Sequence, residues 1–113
     1  MANSKPMKSG ILRIEKLLLD YAHSRKWKKN GARVYFRVNE DWGRIVIVFV
    51  GPFSDDEDKR DHEWEKIYEF LEKNLADDSI LFHSINLVLR TPEEVSQGGV
   101  YSIDSDFVEA HDI

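Results

Sequence analysis

Hydrophobic and polar positions alternate most regularly between Ala32 and Asn39, and the densest apolar run follows at Ile45 to Val50. Ala32, Val34, Phe36 and Val38 stand against Arg33, Tyr35, Arg37 and Asn39, a period of two that predicts a strand with one buried face. Ile45-Val46-Ile47-Val48-Phe49-Val50 has no polar position, which predicts a central strand covered on both sides. Between them Asn39-Glu40-Asp41-Trp42-Gly43 supplies turn formers and a glycine able to take a positive φ, so the two strands are expected as a hairpin. Gly51-Pro52 ends the second strand, because proline cannot donate to a ladder.

On either side the period changes to that of a helix. Ser9 as N-cap and Asn30-Gly31 as stop predict a helix running to about Lys28, with Lys26, Lys28 and Lys29 near the negative end of its dipole. Ile11, Ile14, Leu17, Leu18, Tyr21 and Ala22 share one broad apolar face, and Leu12 and Leu19, seven apart, form a second ridge on its flank. Downstream, Ser54-Asp55-Asp56-Glu57 reads as a capping box, Ser54 at N-cap and Glu57 at N3, opening a helix with the stripe Trp64, Ile67, Tyr68, Leu71 and Leu75. Ile80 to Arg90 is predicted as a third strand, with Leu81, Ile85, Leu87 and Leu89 set against His83, Ser84, Asn86 and Arg90. Thr91-Pro92-Glu93-Glu94 predicts a short capped helical turn ended by Gln97-Gly98-Gly99, and Val100 to Ile103 an edge strand.

The order α-β-β-α-β, with a further β at the end, predicts an α+β fold: a two-layer sandwich with an antiparallel sheet and two helices on one face. A last strand lying beside the third would make this a permuted ferredoxin-like layout. Residues 1–8 are expected as a flexible N-terminus, 9–104 as a single α+β domain and 105–113 as an acidic C-terminal tail.

Composition narrows the chemistry. With no cysteine in 113 residues, disulfides and thiolate metal sites are excluded. No apolar run reaches the length of a bilayer span and the start MANSKPMKSG lacks the apolar segment of a secretory signal, so a cytoplasmic protein without membrane contact is expected. The net charge of -5 conceals an asymmetry: up to Arg37 ten lysines and arginines stand against Glu15 and Asp20, and from Glu40 onward six stand against nineteen acids.

Candidate catalytic groups are thin. Asp20, His23 and Ser24 are the residue types of a hydrolytic triad, but at i, i+3 and i+4 they share one helix face with no oxyanion hole beside a mid-helix serine. Asp58, His62, Glu65 and Glu69 line the outer face of the second helix and form no closed coordination shell. His83 has no second histidine at metal spacing, and Gly51 and Gly98-Gly99 belong to no phosphate-loop pattern. No cofactor or metal is expected, and an enzyme is the weakest class.

Two binding readings remain. Arg25, Lys26, Trp27, Lys28 and Lys29, continued by Arg33, Tyr35 and Arg37 on one strand face, interleave cations with aromatics as an RNA or single-stranded DNA contact does. The preferred expectation comes from the second strand. Helices on one side of the sheet leave one of its two apolar sets uncovered, and at roughly 25 cal/mol per Å² three wet side chains forgo several kcal/mol. A homodimer or a protein partner covering Val46, Val48 and Val50, with Leu12 and Leu19 as further interface residues, is therefore expected, and a protein-interaction module is the function that follows.

Overall fold

A computed structural model describes residues 4–27, 31–39, 43–97 and 107–109, the side chains of 4–7 and 39 excepted. Along the chain these form α1 (Ser4–Ser24), β1 (Arg33–Asn39), β2 (Arg44–Val50), α2 (Glu57–Asn74), α3 (Ser79–His83), β3 (Ile85–Arg90), α4 (Pro92–Gln97) and β4 (Val108–Glu109). The α+β class holds: helices pack on a mixed sheet of order β3-β2-β1-β4.

The hairpin forms as its alternation predicts. β1 and β2 pair antiparallel from Arg33↔Val50 to Asn39↔Arg44, and Gly43 closes the turn at φ 61, a conformation that costs glycine little. Val34, Phe36, Ile45, Ile47 and Phe49 are buried on the helical side with Ile85, Leu87 and Leu89 of β3. Onto them α1 sets Ile11, Ile14, Leu18, Tyr21 and Ala22, and α2 sets Ile67 and Leu71, with Leu75 just beyond its end. Arg13 fixes the angle between the helices, its guanidinium donating to both carboxylate oxygens of Asp77 and to the Asn74 carbonyl.

Several expectations are corrected. The sheet is not wholly antiparallel: β2 and β3 are parallel neighbours, Ile45↔Ile85 to Val50↔Arg90, because α2 forms a crossover between them and a crossover returns the chain in the same direction. The described strands do not give the permuted ferredoxin-like order, since β3 pairs along its length with β2 and β4 lies against β1. The third strand begins at Ile85, and Ser79–His83 is helical. There the Asp78 carboxylate accepts from the Leu81 N–H as a cap, and Phe82 turns into the core, so a helical turn satisfies both groups where the alternation predicts strand. The N-cap of α2 is Asp56, accepting from Lys59 N, while Ser54 Oγ accepts from Asp56 N one step earlier. The capping box of α4 forms as spaced: Glu94 N donates to Thr91 Oγ1 and Thr91 N to Glu94 Oε1. Val108–Glu109, expected within the tail, pairs with Phe36 and Tyr35. The strand predicted at Val100 to Ile103 lies outside the described residues.

The first helix begins at Ser4, within the stretch expected as flexible and ahead of the predicted cap at Ser9, and it ends earlier than predicted, at Ser24. Trp27 N donates to Ala22 O and Lys26 N to His23 O, with Lys26 at φ 60, the paired bonds of a Schellman stop. Glycine usually holds the left-handed position; here a lysine does, so the stop carries no glycine signal. The turn points Trp27 back at the core, against Tyr21, Phe49 and Phe53 at centroid distances of 6.0, 5.6 and 5.3 Å. A side chain on Gly51 would meet the Trp27 ring at 2.7 Å, so this glycine is what lets the indole lie on the strand end.

Among the described strands β3 has no neighbour on the side away from β2, and side chains engage carbonyls there. Trp64, stacked on Tyr68 at 4.8 Å, donates its indole N–H to the Leu87 carbonyl at 2.9 Å, and Arg90 donates to the Leu89 carbonyl.

Candidate functional site

The described residues of the basic segment do not assemble into one open surface. Trp27 is half-buried among three aromatic rings. Arg25 pairs with Glu63 at 3.3 Å and lies over the Tyr21 ring, Arg33 pairs with Glu109 at 2.8 Å, and Arg37 lies over Phe107. Each arginine is therefore engaged within the chain, and a phosphate would compete with those contacts. Lys26 is exposed, with its backbone committed to the helix stop. Tyr35 is half-buried on the sheet's outer face in register with Glu109. Lys28 and Lys29 lie outside the described residues.

The outer face of β2 is drier than helices on one side imply. Val48 and Val50 are 5% and 4% exposed in the single chain, while Val46 is half-buried. The register places Val48 between Tyr35 and Val88, Val50 between Arg33 and Arg90, and Val46 between Arg37 and Asn86. The valine beside the short, exposed Asn86 is the one left partly open. With so little of them exposed, Val48 and Val50 offer little fresh apolar area to a partner.

Leu12 and Leu19 differ. They are 37% and 39% exposed on the flank of α1, whereas Ile11, Ile14 and Leu18 on its inner side are almost fully buried.

The residues weighed for catalysis stay apart. Asp20, His23 and Ser24 are exposed on α1, and Ser24 Oγ donates to the Tyr21 carbonyl of its own helix. Asp58, His62, Glu65 and Glu69 are exposed along α2, and among the described residues no three His, Asp or Glu side chains are grouped to hold a metal ion. His83 is on α3, with Nδ1 2.7 Å from the Ser79 carbonyl. Gly98-Gly99 lies outside the described residues.

Two polar networks went unread in the sequence. Burial pushes the Tyr21 phenol up to about 12, helped by its 2.7 Å hydrogen bond to Glu63. Around Glu94, partial burial pushes the carboxyl up, but the Thr91 N–H and the Arg60 guanidinium outweigh it and the net direction is down. Arg60 also donates to the Ser54 carbonyl, so this cluster ties α4 to the start of α2. Both networks join residues more than thirty positions apart, Arg60 to Glu94 and Tyr21 to Glu63, and no local spacing could announce them. No helix among the described residues is long and apolar enough to cross a membrane. Comparison with protein families, with curated proteins and with solved structures finds no match to the chain.

Proposed function

We propose that the protein is a non-enzymatic interaction module that pairs with a second copy of itself through the flank of α1. The observation that carries this reading is the exposure of Leu12 and Leu19, 37% and 39%, on a helix whose other aliphatic side chains at Ile11, Ile14 and Leu18 are buried. A spacing of seven is two helical turns, so the two leucines project from one side. Two antiparallel copies of α1 about a two-fold axis bring Leu12 of each onto Leu19 of the other, and such a ridge is complementary to itself. The dry outer sheet face moves the weight of this reading from Val46, Val48 and Val50 to the helix.

Light scattering at increasing concentration tests it. The wild-type chain is expected to reach the mass of a dimer at high micromolar concentration. The double variant Leu12→Lys with Leu19→Lys is expected to stay monomeric with stability within about 0.5 kcal/mol, as for exposed positions in general. A wild-type chain that remains monomeric throughout, or a double variant that still pairs, removes the proposal.

A further inference from the structure

Between the start of β2 and α3 lies an open recess of about 400 Å³, lined by Gly43, Arg44, Ser79, Ile80, His83 and Ser84. The Ile45 N–H donates to the Ser84 carbonyl at 2.8 Å, which sets the residues on either side of that bond, Arg44 and His83, at one mouth.

Arg44 is exposed, and among the described residues its guanidinium has no carboxylate, carbonyl or ring partner, unlike Arg13, Arg25, Arg33, Arg37 and Arg60. His83 is held in one orientation. Its Nδ1 lies 2.7 Å from the Ser79 carbonyl and its ring stands edge-on to Phe82. A carbonyl can only accept, so Nδ1 carries the proton and Nε2 is the nitrogen left to a ligand, a second donor when the ring is protonated. Among the described residues no carboxylate lines the recess, and Asp78, next along the chain, is turned to the Leu81 N–H. On the rim Ile80 is 82% exposed, the most open of the large apolar side chains described.

Ser84 Oγ donates to the Ile80 carbonyl; the Arg44 guanidinium and the oriented His83 imidazole, with the Ser79 hydroxyl beside them and no carboxylate among the described lining residues, suit an oxyanion, which guanidinium binds through two parallel hydrogen bonds. The apolar rim suits a ligand that carries more than the oxyanion. We propose that the recess binds a phosphate monoester, its phosphate held by Arg44 and His83 and its apolar substituent resting on Ile80.

Titration with inorganic phosphate and with phenyl phosphate, followed by nuclear magnetic resonance at the Arg44 Nε and His83 ring signals, tests this and separates free phosphate from its ester. Saturable shifts at both residues are expected with either probe, with tighter binding of phenyl phosphate. Arg44→Gln, a change at an exposed position, is expected to weaken both by about tenfold, near 1.4 kcal/mol. Ile80→Ser is expected to bring phenyl phosphate down to the level of inorganic phosphate. Shifts that never saturate, unchanged binding in Arg44→Gln, or equal binding of the two probes by the wild-type chain would each overturn the proposal.

Discussion

The two faces of β2 are equally apolar in sequence and are kept dry by different means. On the inner face Ile45, Ile47 and Phe49 meet the side chains of α1 and α2 in one core. On the outer face Val48 and Val50 are flanked across the strands by Tyr35, Arg33, Val88 and Arg90. The apolar run was legible as two-sided burial; how dry Val48 and Val50 are in a single chain was not, because strand periodicity does not tell what lies over a face.

Truncation on the two faces separates these means most sharply. Ile47→Ala opens a cavity among side chains held from several directions and is expected to cost about 2–5 kcal/mol in chemical denaturation. Val48→Ala removes less volume beneath more adaptable neighbours and is expected to cost about 1–2 kcal/mol. Equal costs would erase the distinction, and a Val48 cost near zero would mean that the outer face is wet. The inner face also recruits Trp27 through a lysine in a left-handed turn, a conformation that costs a residue with a Cβ roughly 1–2 kcal/mol. Lys26→Gly is therefore expected to stabilise the fold by about 1 kcal/mol, part of the gain being offset by the freer unfolded chain; a loss of stability on thermal melting would show that the turn is not strained. Tyr35→Ala, which lowers the shield over Val48, is expected to cost about 0.2–1 kcal/mol, the range of a cross-strand pair. If denaturation detects no change, the tyrosine is not part of the cover.

The smallest effect lies at the end of the sheet, where the Glu94 carboxyl is held below its ordinary value. A group depressed in the folded state adds stability above its unfolded pKa, and that contribution is lost as pH falls through the folded value. Glu94→Gln should flatten this acid limb of the stability profile and lower stability by a constant amount at the higher pH where the carboxylate's contribution is fully present. An acid limb identical to that of the wild type would place the responsible carboxylate elsewhere.

Most of the architecture was legible because its signals were local. The hairpin followed from alternation with turn residues at Asn39 to Gly43, α2 from the stripe Trp64 to Leu75, and α4 from its cap, proline and glutamate. The misreadings share one physical cause, a local signal with two solutions that tertiary contacts decide. Residues Ile80 to Ser84 fit a strand in alternation, yet Asp78 as a cap and Phe82 as a core residue select a helix. Residues 25–27 promised more helix and an open aromatic, yet the turn at Lys26 folds the indole inward. Of the surfaces, the Leu12 and Leu19 ridge was visible as a spacing of seven. The recess of Arg44 and His83 was not, since it joins the hairpin to a helix read as strand.

Trp64 carries a consequence for how copies of this chain can meet. A β-sheet ordinarily invites growth at its rim, where backbone groups lacking a neighbour template an incoming strand. With the indole on the Leu87 carbonyl and Arg90 on that of Leu89, two acceptors that such a strand would use are already taken. Ladder extension from this edge of β3 is thus hindered.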